Sequence, residues 1–138
     1  PLKLTAKPLG DDEYDVYVAG PFFNMPQIWL VDEARLALRG MRLRVFSPYH
    51  DIGIGPGSDV APKDIDALEK SRAVLAILDG VDTGTVFEAG YARAHQKPVV
   101  AFAQCTPDES LKMIAGTGCE VVEDFVSAIY RVAWAAWR

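Results

Sequence analysis

The chain has 138 residues, half of them hydrophobic and 24% charged, which fits one compact domain with a full core. Its net charge is −5 and it carries no run of Lys or Arg, which argues against binding along a nucleic-acid backbone while leaving a small uncharged ligand open. Two cysteines, Cys105 and Cys119, and two histidines make no metal set, and no apolar run approaches the ~18 residues of a membrane span. The thiols read as buried or half-buried in a reducing compartment and no signal peptide is visible, so a cytoplasmic location is expected.

Residues 1–13 are polar and end in three acids, Asp11, Asp12 and Glu13, which predicts a mobile lead-in ahead of a single domain over 14–138. Tyr14 to Ala19 is aromatic and β-branched, a first strand stopped by Gly20-Pro21. Asn24 and Pro26 open a helix whose apolar positions Ile28, Val31, Ala34 and Leu38 recur at helical spacing up to Gly40. Leu43 to Phe46 predicts a second strand, closed by Ser47-Pro48. Tyr49 to Val60 has no period and is expected to be a long loop. Its Gly53-Ile54-Gly55-Pro56-Gly57 run is a poor phosphate cradle, because Pro56 lacks an N–H, and reads instead as a flexible lid or wall. His50 and Asp51 in this loop are surface residues or, for His50, a contact to a nucleobase.

Pro62 is expected to open the next helix, with Asp64, Ile65 and Leu68 along it. Ala73 to Leu78 is nearly continuous in apolar residues, as a strand buried on both faces would be. A helix over 85–95, a strand over 99–103, a short helix over 109–115, a strand over 120–122 and an amphipathic helix over 124–137 complete the chain. Trp134 and Trp137, at i and i+3 on the last helix, are packing residues, internal or against another subunit. Strands alternating with helices through short turns imply an α/β fold, a five-stranded parallel sheet with helices on both faces. The flavodoxin-like order 2-1-3-4-5 puts its switch point between the first and third strands, which brings residues 17–23 beside residues 79–88.

That junction carries carboxylates. Thr85-Val86-Phe87-Glu88 is a capping-box pattern, in which Glu88 reaches back to a backbone N–H. The alternative is chemical. Asp82 precedes Glu88 in the same turn, and Asp64 is expected near the start of the preceding helix, so three carboxylates can converge on one crevice. Cleaving an N-glycosidic bond needs an anion to stabilise an oxocarbenium-like sugar and a proton for the departing base, which an unlike carboxyl pair supplies. A glutamate in a first helical turn is expected to be held ionised by backbone N–H groups, and an acid crowded by it to be held protonated. Tyr17, at the end of the first strand, is either a core ring or a hydroxyl that fixes the Glu88 rotamer. Asp66 and Asp79 read as a solvated helix position and a strand-end turn residue.

With these residues in place, the chain resembles the nucleoside 2-deoxyribosyltransferase family. The resemblance rests on Tyr17-Val18-Ala19-Gly20-Pro21-Phe22-Phe23-Asn24, Phe46-Ser47-Pro48, the Asp64 helix, Asp82-Thr83-Gly84-Thr85-Val86-Phe87-Glu88-Ala89-Gly90-Tyr91-Ala92, and Lys97-Pro98-Val99-Val100, within about residues 15 to 125. It implies a flavodoxin-like enzyme that swaps nucleobases on 2-deoxyribose without a cofactor or a metal. In that pattern Glu88 matches the nucleophile, Asp64 the acid near the base, Asp82 a residue near the 5′-hydroxyl and Tyr17 the positioning tyrosine. Gly20, Phe22, Phe23, Pro48, His50 and Gly84 then stand as substrate-binding positions. The partners implied are a 2′-deoxynucleoside, a free nucleobase and further copies of the chain in a homo-oligomer. Many members carry an asparagine after the fourth strand; here Ser110-Leu111-Lys112-Met113 has none.

Two other readings share the fold. One is hydrolysis of 2′-deoxynucleosides or their 5′-monophosphates, which differs only in what resolves the glycosyl-enzyme. A phosphate-binding site would want a cation after the first strand, where Phe22-Phe23-Asn24 offers none, and the Asp82 carboxylate would repel the phosphate. The other is a non-catalytic signalling or nucleoside-binding module. A phosphoacceptor domain lacks its acidic pair here, since the first strand ends in Ala19-Gly20, and Gly20-Pro21-Phe22-Phe23 cannot form a flavin phosphate loop.

Overall fold

The computed structural model describes residues 10–138. Five strands, β1 (Tyr14–Ala19), β2 (Val45–Phe46), β3 (Ser71–Ile77), β4 (Val99–Phe102) and β5 (Glu120–Val122), form one sheet in the order β2-β1-β3-β4-β5, every pair parallel. The helices are α1 (Met25–Gly40), α2 (Pro48–Asp51), α3 (Gly57–Glu69), α4 (Thr83–Ala94), α5 (Lys112–Gly116), entered through a 3-10 turn over Asp108–Leu111, and α6 (Phe125–Trp137). The α/β class and the strand order are those expected from the sequence.

Strand alternation splits the core into two layers. Val16, Val18, Leu75 and Ile77 face α1 and α6, meeting Val31, Ala34 and Leu38 from one helix and Ile129, Val132 and Ala136 from the other. Tyr17, Ala19, Val74 and Ala76 face the opposite way and pack under Ala67 and Leu68 of α3 and Ala89 and Ala92 of α4. The parity of β1 therefore decides that the Tyr17 ring lies beneath α3 and α4; a one-residue slip would send it to the other layer. Tyr17 pairs with Phe46 of β2 and Val74 of β3, which fixes that register. Trp137 is half-buried against the first layer, and Trp134 is exposed with the Arg138 guanidinium 5.7 Å over its ring.

Caps mark the helix starts. Asn24 Oδ1 accepts the Gln27 N–H at 3.0 Å while Gln27 Oε1 accepts the Phe23 N–H at 2.8 Å, a reciprocal arrangement that fixes the entry to α1. Asp124 caps α6 by accepting the Ser127 N–H at 2.8 Å. Asp79 behaves as a strand-end turn residue, accepting from the N–H groups of Gln104 and Cys105 and from the Thr106 hydroxyl. These bonds tie the carboxyl ends of β3 and β4 together. Asp66 is solvated and pairs with Lys70 at 3.0 Å.

The structure corrects the sequence reading in three places. The second strand is two residues long, because the turn off α1 consumes Arg42, at φ 63°, and Leu43, whose N–H bonds back to the Leu38 carbonyl. Tyr49 to Val60 is not one long loop. Pro48–Asp51 forms a helical turn in which the Asp51 carboxylate accepts the Ser47 N–H at 2.8 Å, and α3 begins at Gly57, leaving residues 52–56 irregular. Pro62 consequently lies inside α3 instead of opening it, forfeiting one intrahelical hydrogen bond. Of the expected lead-in, residues 1–9 lie outside the described residues. Residues 10–13 are held: Arg44 donates to the carbonyls of Gly10 and Asp11, and Asp12 pairs with Lys70.

Candidate active site

At the carboxyl edge of the sheet, over the switch point between β1 and β3, a cleft of about 330 Å³ opens. One wall is the segment leaving β1, Gly20 to Phe23; the opposite wall is the start of α4, Asp82, Thr83 and Gly84, with Glu88 a turn further in. Pro48 and Gly53 close one side, and Val60 and Asp64 of α3 reach in above them. Asp64, Asp82 and Glu88 thus converge as the sequence predicts.

Each carboxylate arrives by a different local device. The turn after β3 is closed by the Val81 N–H on the Leu78 carbonyl at 2.9 Å, with Gly80 at φ 88° and Val81 at φ 48°. A β-branched residue in the left-handed region is strained by of order 1–2 kcal/mol, a cost carried here at a cleft wall. The turn delivers Asp82 to the N-cap of α4, where its Oδ2 accepts both the N–H and the hydroxyl of buried Thr85 at 2.9 Å. Both bonds fall on Oδ2, so Oδ1 remains for a ligand.

The capping-box expectation for Glu88 is therefore overturned. Asp82 is the cap and Glu88 is the sixth residue of α4, beyond the first turn. Its carboxylate lies instead on the inward stripe with Thr85 and Ala92, where Oε2 accepts a hydrogen bond from the Tyr17 hydroxyl. The two readings of Tyr17 merge, since the ring is wholly buried and stacked on Phe46 while its hydroxyl finds Glu88. Asp64 is the eighth residue of α3, not near its start, and shares its inward stripe with Val60 and Leu68. Its Oδ1 is buried and makes no hydrogen bond.

Burial governs the electrostatics. It pushes Glu88 up to about 7; the Tyr17 hydrogen bond pulls the other way, and the nearby Asp64 and Asp82 charges add to the rise. Desolvation alone raises Asp64 to about 6. Tyr17 is raised far beyond the ordinary tyrosine range, by burial first and the Glu88 charge second, so it stays a hydrogen-bond donor. The helix-terminus effect expected to hold Glu88 ionised is thus outweighed by desolvation. The cleft holds two carboxyls that titrate near neutrality, beside a third that caps a helix. Such a set can share one proton between an attacking and a protonating role.

His50 does not reach this cleft. Its Nδ1 lies 2.9 Å from the Ser47 hydroxyl and its Nε2 2.9 Å from Asp32 Oδ1, so it ties α2 to α1, while Tyr49 packs on Phe22. Gly20, Phe22, Phe23, Pro48 and Gly84 all line the cleft, with Gly53 from the run expected to form a wall, and with Pro21, Val60 and Thr83, which have no assigned substrate role in the sequence reading. Val60 was hidden by its assignment to a loop. Its spacing of four from Asp64 and eight from Leu68 is the signal that a helix already runs through it. Among the described residues no group of three or more His, Cys, Asp or Glu is placed to hold a metal ion, and no helix is long and apolar enough to cross a membrane.

The family profile described as nucleoside 2-deoxyribosyltransferase matches residues 16–125, a span from β1 to the start of α6 that includes every cleft residue. The chain belongs to the nucleoside 2-deoxyribosyltransferase family. Members of this family are enzymes that act on deoxynucleosides and nucleobases. No curated protein matches the chain in sequence. Among solved structures, a 2-deoxyribosyltransferase from Leishmania mexicana superposes with a TM-score of 0.70 at 22% identity, over 86% of this chain and 96% of that one. A 2-deoxyribosyltransferase from Bacillus psychrosaccharolyticus gives 0.66 at 25% identity, over 83% and 89%. A conserved protein from Enterococcus faecalis V583 gives 0.63 at 22% identity, over 86% and 96%. The matches below 25% identity speak to the fold, which they share with this deoxyribosyltransferase-family chain.

Proposed function

We propose that the chain transfers 2-deoxyribose between nucleobases by double displacement through a covalent deoxyribosyl ester on Glu88. The observation that carries this reading is the pairing of a Tyr17-oriented Glu88 with an unpartnered, buried Asp64 oxygen in one cleft. In the first step Glu88 attacks C1′ and the bond to the base nitrogen breaks. The electron pair leaves with the base, which takes its proton from Asp64. In the second step an incoming base gives its proton to Asp64 and attacks C1′, and the Glu88 ester bond breaks. Burial raises both carboxyls, so either Glu88 or Asp64 can hold the shared proton near neutral pH. Positive charge developing at C1′ favours ionised Glu88, while a base nitrogen over Asp64 accepts its proton.

Tyr17 acts as the positioning residue, and Gly20, Phe22, Phe23, Pro48 and Gly84 form the walls. Asp82 Oδ1 receives the sugar 5′-hydroxyl, whereas a 5′-phosphate would meet this carboxylate as a like charge. A 2′-deoxynucleoside is therefore expected to outcompete its 5′-monophosphate by at least about a hundredfold in kcat/KM, from a repulsion of several kcal/mol at close approach. Asp82→Ser narrows that gap; equal use of both substrates by the unaltered enzyme would remove the role of Asp82. The reading includes assembly into a homo-oligomer, for which exposed Val81, Phe87 and Met113 beside α4 provide apolar surface.

The deciding experiment follows products by chromatography, with thymidine or 2′-deoxyinosine as donor and with or without a second base. A new deoxynucleoside appearing only when the second base is present is the expected outcome. Free deoxyribose forming equally in both arms would make the enzyme a hydrolase.

A further inference from the structure

The cleft does not end at Asp64. Beyond Val60 it continues into an annex of about 350 Å³ bounded by Phe22, Phe23, Gly53, Ile54, Gly55 and Val60. Four of these, Phe22, Phe23, Gly53 and Val60, also line the cleft, so the two volumes share a boundary. Val60 stands one turn before Asp64 on the same stripe of α3. The annex therefore adjoins the cleft along Phe22, Phe23, Gly53 and Val60, while Asp64, Asp82 and Gly84 bound the cleft alone. No side chain bounding it is charged or carries a hydrogen-bonding group. Its surface is apolar and uncovered: Ile54 is 92% and Phe23 79% exposed, and the Phe22 and Phe23 rings lie nearly parallel with centroids 6.2 Å apart. Gly55 sits close enough to Val60 that a Cβ there would stand 3.2 Å from Cγ1 and press on the Val60 side chain.

We infer that this annex is a specificity subsite for nucleobases bearing an apolar substituent on the edge remote from the glycosidic nitrogen. The inference rests on the cleft binding a deoxynucleoside as proposed above, and deepens it by naming the class of base. A ring held between Glu88 and Asp64 projects its far edge towards Val60, Ile54 and Phe23. An apolar group there covers exposed Ile54 and Phe23 surface at a gain proportional to the area removed from water. A charged or strongly polar group would be desolvated without a partner and is selected against.

The test compares adenine with N6-benzyladenine, and uracil with 5-benzyluracil, as acceptor bases. Each is used with the unaltered enzyme and with Ile54→Asp, a change at a side chain that bounds only the annex. The unaltered enzyme is expected to use the benzylated base at least as well as its parent. Ile54→Asp is expected to lower kcat/KM for the benzylated base about tenfold, the scale of partly burying one phenyl group, while holding the parent within about twofold. Rejection of both benzylated bases by the unaltered enzyme, or a substituted-to-parent ratio unmoved by Ile54→Asp, would overturn the subsite. A shift in oligomeric state on Ile54→Asp with that ratio unmoved would assign the annex to a contact with a second copy and overturn it equally. If no base is exchanged at all, the transferase reading falls, yet isothermal titration calorimetry still decides the annex. N6-benzyladenine binding more tightly than adenine to the unaltered protein, and no more tightly to Ile54→Asp, upholds it; equal binding of both bases to the unaltered protein overturns it.

Discussion

Replacing Glu88 by alanine is expected to lower base-exchange turnover by at least about a thousandfold, the scale on which loss of the proposed covalent nucleophile exceeds loss of a binding contact. The cap of α4 is unaffected, because it is made by Asp82 and Thr85 and not by the glutamate. The substitution does strand the Tyr17 hydroxyl, which is buried and donates to Glu88. An unsatisfied buried donor costs about 1–3 kcal/mol, so the alanine variant is expected to lose stability at acid pH, where the glutamate it replaces is neutral. Glu88→Gln separates the two effects, since its amide oxygen still accepts from Tyr17 while the side chain cannot form the ester. Stopped assays of base exchange on both variants provide the check. Activity within about tenfold of the unaltered enzyme in the glutamine variant would remove Glu88 from the chemistry.

Glu88→Gln is also expected to stabilise the fold at alkaline pH. Burial raises the Glu88 carboxyl from its ordinary 4.5 to about 7. Between those values the folded chain binds more protons than the unfolded chain. The stability linked to this group is thus fully present below about 4.5 and is lost as pH rises through about 7. Asp64 acts in the same direction over a lower window, from 3.8 to about 6. A neutral amide at position 88 has no charge to desolvate. Relative to the unaltered chain, the glutamine variant is therefore expected to gain about 3 kcal/mol between pH 4.5 and pH 8, or roughly 10 °C in Tm. Urea denaturation at the two pH values measures it. A difference between variant and unaltered chain that is flat with pH would mean that Glu88 is not held up by burial. The prediction expresses a general trade: a carboxyl tuned towards neutrality for chemistry is paid for in stability at the pH where it works.

Much of this site is legible in the sequence because its parts sit where the pattern of the fold is strongest. The β1 run from Tyr14 to Ala19 and the nearly continuous apolar β3 define the sheet, and their order places residues 17–23 against residues 79–88. Asp64, Asp82 and Glu88 follow as neighbours from topology alone. What the sequence conceals is which carboxylate does the capping. Thr85 to Glu88 satisfies the capping-box pattern, but Asp82 three residues before Thr85 satisfies the rule for an N-cap as well, and the strained turn at Gly80 and Val81 selects it. The three glycines and Pro56 of 53–57 hide the first turn of α3, since their propensity argues for a loop while the burial of the Val60, Asp64 and Leu68 stripe argues for a helix. Tertiary packing decides in favour of the helix. The direction of the Glu88 shift was equally hidden. A helix start favours the anion, but sequence does not reveal that α3 covers this position and excludes water from it.

The proposed chemistry turns on a covalent bond between C1′ of deoxyribose and the Glu88 carboxylate. Intact-protein and peptide mass spectrometry after incubation with a 2′-fluoro-substituted deoxynucleoside, which slows departure of the sugar, tests it most directly. A mass increase of one fluorodeoxyribosyl group is expected, localised to Glu88, abolished in Glu88→Gln and reversed when a free base is added. A 2′-fluoro nucleoside that is turned over with no adduct on the protein, or with an adduct on Asp64 or Asp82, would contradict it.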